Sequence, residues 1–252
     1  MANAQQSQGV AVVTGAAGGM GSHIARALHA DGAQVLLADI ALDAAQELAS
    51  ELSPDGSSAR AVALDVAHRE PFVQALDVCR QTWGRPTILV NNAAVTQGAE
   101  LMDIGEEDFT RVLNTNVNSI FFGCQVFGAA MADAGYGRII NMASLAGQNG
   151  GTATGGHYAS SKGAILTATK VFARELAPHG VTVNAIAPGP HDLPVVHATV
   201  PPEKLGAVVA NIPVGTLGDP SFIGDVVSLL ASPKAGFVTG ACWDVNGGLY
   251  LR

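Results

Sequence analysis

Tyr158 and Lys162 stand four residues apart in the run Tyr158-Ala-Ser-Ser-Lys162, a spacing that puts a phenol and an ammonium on one face of a helix. A phenol at its ordinary pKa of ~10 is a poor base at neutral pH. A lysine charge ~4 Å from it, at an effective dielectric of ~20, is worth ~4 kcal/mol, or about three pKa units. That would bring the phenol close to neutrality, where a general acid/base works best. Alone, the pair equally suits an amphipathic helix with a buried tyrosine and a lysine reaching to water, so its partners decide. Ser144 is one partner. It follows the apolar run from Arg138 to Met142, where a hydroxyl would face the carboxyl edge of a sheet and donate to an oxygen turning into an alkoxide.

A second group of residues suits a phosphate. Val10-Ala-Val-Val13 runs into Thr14-Gly15-Ala16-Ala17-Gly18-Gly19-Met20-Gly21 and then into a helical stretch. Glycines let the backbone turn tightly and approach a pyrophosphate, and a helix start offers free N–H groups with a partial positive charge. A glycine-rich turn is often only a turn, but a strand before it and a helix after it favour the phosphate reading. Asp39 ends the next strand, eighteen residues beyond Gly21. An acid there accepts both hydroxyls of an adenosine ribose and repels a 2′-phosphate. Ile40 follows it, and Ala17 and Gly18 sit in the turn, so no arginine or lysine is placed to grip such a phosphate. NAD is therefore expected over NADP.

The elements that must position these groups alternate along the chain. Strands are expected at Val10–Val13, Val35–Ala38, Ala61–Leu64, Thr87–Val90, Arg138–Asn141, Val181–Asn184 and Ala241–Val245. Helices are expected over 23–31, 42–52, 70–82, 106–132, 158–177 and 219–231. This alternation predicts an α/β fold, a doubly wound parallel sheet of about seven strands with helices on both faces, Rossmann-like. Ligands then bind outside the carboxyl ends of the strands, where every residue singled out above falls. No linker interrupts residues 1–252, so one domain carries both cofactor and catalysis. The Pro-rich, weakly periodic stretch at about 189–215 reads as a substrate loop or lid.

Composition narrows the function classes. Charged residues are 13% of the chain and hydrophobic ones 48%, against roughly 25% charged in an average globular protein. The excess apolar surface predicts a sheet buried on both faces and a homo-oligomer. The net charge of −8 speaks against a nucleic-acid partner, which wants a basic stripe. No apolar run nears ~20 residues and Met1–Gln8 is no signal peptide, so no membrane partner and a cytoplasmic location are expected. Cys79, Cys124 and Cys242 are too scattered for a metal or a disulfide set. His191, Asp192 and His197 lack a fourth ligand, so no metal is expected.

Gly15, Gly19 and Gly21 form a Gly-x-x-x-Gly-x-Gly pattern, and with Tyr-x-x-x-Lys it resembles the short-chain dehydrogenase/reductase family. The resemblance runs from Val10 to Trp243-Asp244-Val245-Asn246-Gly247-Gly248. It implies hydride transfer between a nicotinamide ring and an alcohol or carbonyl carbon, commonly in a homotetramer joined through the long helices. The implied catalytic set is Asn116, Ser144, Tyr158 and Lys162, with Asn116 holding a water in a proton relay. The implied cofactor set is Gly15, Gly19, Met20, Gly21, Asp39, Ile40, Asp65, Val66, Asn92, Tyr158, Lys162, Pro188 and Gly189. Two positions depart from the family pattern. Ala94 replaces the usual glycine of Asn91-Asn92-Ala93-Ala94, and Leu193 replaces the threonine that normally holds the carboxamide. Overall the chain resembles the 3-oxoacyl-carrier-protein reductases, which favour NADPH; Asp39 argues instead for an NAD-linked dehydrogenase of a secondary alcohol or ketone. From a different class, a catalytically silent NAD-binding sensor would share the fold but would not need all four catalytic residues. Pocket residues are guessed at Ala146, Gln148, Gly189, Pro190 and Val195.

Overall fold

The computed structural model describes residues 9–151, 154–200 and 202–251; the signal-peptide reading of Met1–Gln8 falls outside them. Seven strands form one sheet: β1 (Val10–Thr14), β2 (Gln34–Asp39), β3 (Ala59–Ala63), β4 (Pro86–Asn91), β5 (Gly137–Met142), β6 (Val181–Pro188) and β7 (Cys242–Val245). Every pairing is parallel, and the spatial order is β3-β2-β1-β4-β5-β6-β7. The order reverses between β1 and β4, which opens a crevice above that pair.

Nine α-helices are described: α1 (Gly19–Ala30), α2 (Leu42–Leu52), α3 (Glu70–Thr82), α4 (Glu106–Ala134), α5 (Ala146–Asn149), α6 (Gly156–Leu176), α7 (Pro194–Thr199), α8 (Pro202–Ala210) and α9 (Pro220–Ala231). Side chains alternate across a strand, so each central strand feeds two cores. Val10 and Val12 join Phe72, Ile120, Phe127, Met131 and Ile165 from α3, α4 and α6. Ala11 and Val13 join Ile24, Leu28, Leu48, Ile223 and Leu230 from α1, α2 and α9. All residues of β1, β4, β5 and β6 except Thr87 are buried, as expected of strands covered on both faces.

Most strands and several helices shift by one or more residues from their expected bounds, and three differences have a clear cause. α1 begins at Gly19 rather than His23, because two glycines weaken the helical signal of its first turn. β6 runs on to Pro188, past the alanines that dilute its strand pattern; proline is tolerated at this strand end. The weakly periodic stretch at about 189–215 holds α7 and α8, and α7 opens on Pro194 at its first turn. α2 and α3 match their expected spans, and α4 gains two residues before Gly135 caps it at φ +72°.

Candidate active site

The turn after β1 is built for close backbone approach. A Cβ at Gly21 would lie 1.9 Å from the Gly15 carbonyl oxygen, and one at Gly15 would lie 2.8 Å from the Ala93 Cα. At Gly18 and Gly19 an added Cβ would meet nothing within 4 Å. The turn is thus packed on its inner side and open on its outer side, where the N–H groups of the α1 start are free to meet an anion. Asn92 fastens it from just past the end of β4, donating through Nδ2 to the Thr14 and Gly15 carbonyls at 3.0 and 2.9 Å. Thr14, fully buried, accepts from the Asn92 and Ala93 N–H groups at 3.0 and 3.1 Å. Its part was missed in the sequence, where a strand-end threonine gives no signal beyond its place before Gly15.

Asp39 closes the far end. Its Oδ2 accepts from the Ala17 N–H at 2.8 Å, and Oδ1 accepts from Ala41 N–H at 2.9 Å. The carboxylate therefore sits on the glycine turn itself, with Ile40 76% exposed beside it. Asp65 follows β3, its Oδ1 accepting from Ala67 N–H at 3.0 Å, and Val66 is buried. Met20 lines the cleft with the turn glycines.

A cleft of about 330 Å³ joins this turn to the catalytic candidates: Gly15, Gly19, Met20, Asn92, Ser144, Tyr158, Lys162, Pro188 and Gly189 all line it. Ser144 Oγ accepts from Ala146 N–H at 3.1 Å, which leaves the serine's own proton to give. Lys162 is 3% exposed; its Nζ donates to the Met142 carbonyl at 2.7 Å and stands 5.6 Å from the Tyr158 ring centroid. Burial pushes the Lys162 pKa down to about 8, so the amine still carries its charge at neutral pH. Burial pushes the Tyr158 phenol up, and hydrogen bonding to the Ser144 and Thr96 hydroxyls pulls it back. This corrects the sequence-based expectation of a phenol brought near neutrality by the lysine alone: the ammonium lies over the ring, tied to a carbonyl, and desolvation of the phenol outweighs the rest.

Asn116 is fully buried on α4. Its Oδ1 accepts from Val95 N–H at 2.8 Å, and its Nδ2 donates to the Val95 carbonyl and to Ser161 Oγ, both at 3.0 Å. Ser161 Oγ donates in turn to the Tyr158 carbonyl at 2.7 Å. Asn116 thus clamps the loop after β4 to the helix bearing Tyr158. Pro188 accepts from Leu145 N–H at 3.0 Å. Gly189 lies so close to Asn246 that a Cβ would come within 2.9 Å of its Cα, so the Pro-Gly pair sets the floor between β6 and β7.

Leu193 is buried and lines the cleft. His191 lines it too, 2% exposed, with Nδ1 2.9 Å from the Gly189 carbonyl and a pKa lowered by burial; it is no exposed loop histidine. His197 instead pairs with Asp192 at 2.6 Å. Of the guessed pocket residues, Gly189, Pro190 and Val195 line the cleft. Gln148 turns to Asp244, donating at 2.5 Å, and Ala146 lines a separate groove of about 730 Å³ on the outer side of α6. That groove is larger, but Tyr158, Ser144 and the glycine turn are not part of it.

Comparison with known proteins adds an independent line. The family profile described as enoyl-(acyl carrier protein) reductase matches residues 15–250. The 3-oxoacyl-(acyl-carrier-protein) reductase FabG of Vibrio cholerae is 38% identical over 96% of this chain and 97% of its own length. Its counterpart from Pseudomonas aeruginosa is 36% identical over the same shares. The (3R)-3-hydroxyacyl-CoA dehydrogenase of Rattus norvegicus is 35% identical over 96% of each chain. The chain belongs to the short-chain dehydrogenase/reductase family, a nicotinamide-dependent oxidoreductase acting on a carbonyl or alcohol group.

Proposed function

We propose an NAD(H)-linked dehydrogenase of a secondary alcohol or ketone, working through Ser144, Tyr158, Lys162 and Asn116. The observation that carries it is the meeting of the Ser144 hydroxyl, the Tyr158 phenol and the Lys162 amine in one cleft with the glycine turn. Gly15, Gly19, Met20 and Gly21 would hold the pyrophosphate, Asp39 and Ile40 the adenosine ribose, and Asp65 and Val66 the adenine. Asn92, Lys162, Pro188 and Gly189 would face the nicotinamide end. When bound, the dinucleotide supplies or takes up the hydride.

The chain's own residues move the proton. In reduction Tyr158 gives its proton to the substrate oxygen, and in oxidation it takes that proton back; such transfer contributes about 10²- to 10⁴-fold. Ser144 donates to the same oxygen and stabilises the charge that grows there. The Lys162 charge favours the phenolate. Asn116 keeps the loop after β4 against α6 and would hold the water that leads the proton away. Leu193, in place of a hydroxyl, would leave the carboxamide one contact short. The segment at 189–215 would act as the substrate lid.

NAD over NADP rests on Asp39: a carboxylate on the Ala17 N–H, with no cation in the turn, repels a 2′-phosphate. The FabG relatives favour a second reading, reduction of a 3-oxoacyl thioester. One assay separates the two: secondary alcohols, ketones and a 3-oxoacyl thioester, each offered with NAD(H) and NADP(H) and followed by nicotinamide absorbance. At least tenfold higher kcat/KM with NAD(H), and turnover of simple alcohols, is the expected result. NADPH-driven turnover confined to the thioester contradicts it.

A homotetramer fits two apolar faces. α4 and α6 present Phe109, Phe121 and Val171, and the α9 and β7 side presents Phe222, Leu229 and Phe237, all more than two-fifths exposed. Faces of this kind are normally covered; sedimentation as a monomer at micromolar concentration would rule the tetramer out. Among the described residues no helix is long and apolar enough to cross a membrane, and a cytoplasmic place is proposed with the reduced cysteines.

A further inference from the structure

We infer that His191 is a specificity-determining residue: its Nε2 accepts a hydrogen bond from a second hydroxyl on the substrate, so a diol is preferred over a simple alcohol. The inference rests on the proposed reading of this cleft as the site of a secondary-alcohol dehydrogenase. His191 is held from three sides. Its main chain pairs with Gly218: the Asp192 N–H donates to the Gly218 carbonyl at 2.9 Å, and the Gly218 N–H to the Pro190 carbonyl at 3.1 Å. The ring lies so close to Gly218 that a Cβ there would come within 2.7 Å of Cδ2 and Nε2. Nδ1 stands 2.9 Å from the Gly189 carbonyl. The imidazole is therefore fixed in place before any ligand arrives.

A carbonyl oxygen only accepts, so Nδ1 carries the proton. Burial lowers the pKa of the ring against the pull of Asp219, so at neutral pH the ring is uncharged and Nε2 keeps a lone pair. That atom takes no hydrogen bond from the described residues, yet it is not among the polar atoms sealed from solvent. It opens on the cleft, which the 2% exposed ring lines together with Ser144 and Tyr158. The side chains beside it on that wall are Pro190, Leu193, Val195 and Val196, none with a hydrogen-bonding group. A nearly buried acceptor on an apolar wall costs free energy until a donor reaches it. The donor that fits is a hydroxyl. A bare alkyl group leaves the acceptor unpaired, and a carboxylate brings it no proton. The lysine of the cleft is already tied to the Met142 carbonyl, so an acidic substrate finds no free cation there either.

Propylene glycol and isopropanol, which differ by one hydroxyl, test the inference, each offered with NAD and with NADP. The ratio of their kcat/KM values is read on one preparation each of the wild type, His191→Asn and His191→Phe, so the folded fraction cancels. The asparagine amide can still donate to the Gly189 carbonyl but puts no acceptor where Nε2 stands. Phenylalanine keeps a ring against Gly218 and has no nitrogen. The diol should lead about tenfold in the wild type, and the lead should vanish in both variants. NADH affinity, read by nicotinamide fluorescence, should stay within about threefold. Equal use of both alcohols by the wild type, a lead that survives in either variant, or NADH affinity lost in step with it overturns the inference. A wild type that turns over neither alcohol overturns the dehydrogenase reading, and this inference with it.

Discussion

The two walls of the cleft are made differently. On the wall proposed for the cofactor the backbone is the surface: Gly15 and Gly21 leave no room for a side chain, and Asn92 and Thr14 lock the turn with four hydrogen bonds of 2.9–3.1 Å. On the wall proposed for the substrate, side chains are the surface. Pro190, His191, Leu193, Val195 and Val196 line it from an irregular segment and a six-residue helix. A ligand common to a whole family can be met by fixed main-chain geometry. A substrate that differs from member to member must be met by side chains on segments free to vary.

This contrast can be broken first at Gly21. Gly21→Ala puts a methyl carbon 1.9 Å from a backbone oxygen, so the turn or the α1 start must shift. Loss of dinucleotide affinity by more than about tenfold, with ~1–3 kcal/mol of destabilisation, is expected. Binding read by nicotinamide fluorescence and melting read by circular dichroism check it. Wild-type affinity would mean that the turn's tight packing is incidental.

Lys162 stands between the walls, and its variant should pull function and stability apart. Its pKa is about 8 when folded, below the ordinary 10.5. Below pH 8 both folded and unfolded chains hold the proton, and burying the charge costs about 3 kcal/mol. Between about 8 and 10.5 the unfolded chain holds more protons, so stability gains as pH rises through that window; above it the cost is gone. Lys162→Met should therefore melt several degrees higher than the wild type near pH 7, less about 1 kcal/mol for the lost bond to Met142. The gap should close as pH passes 10. Turnover should fall at least a hundredfold. A Lys162→Met protein that melts lower at pH 7 would show the amine to be a structural anchor.

The smallest effect is expected at Leu193. Leu193→Thr restores a hydroxyl on the substrate wall and should lower the dinucleotide KM about two- to fivefold, the worth of one neutral hydrogen bond. A raised KM would mean that the buried leucine packs the segment rather than standing in for the missing contact.

The same contrast explains what could be read beforehand. β1, β2 and β5 are dense in valine, leucine and isoleucine between turn residues, and the glycine spacing marks the start of α1, so the sheet and the cofactor wall were legible. So was the pairing of Tyr158 with Ser144, because both fall at strand carboxyl ends or on a helix beside one. The lysine's true setting was not. Spacing says that Lys162 shares a face with Tyr158, but not that the Met142 carbonyl accepts its hydrogen bond or that burial drives both pKa values. Gln148 was misplaced for a related reason: the four-residue helix that carries it is too short to show a period, so tertiary contacts alone aim it. Thr14 carries no motif at all; its role comes from what the loop after β4 brings beside it.

The most direct measurement is Tyr158→Phe, with turnover and NADH binding read on the same preparation. If a phenol proton carries the reaction above a cradle formed by other residues, turnover should fall about 10³-fold while the NADH dissociation constant stays within about threefold. Turnover near the wild-type rate, or affinity lost in step with activity, would contradict it.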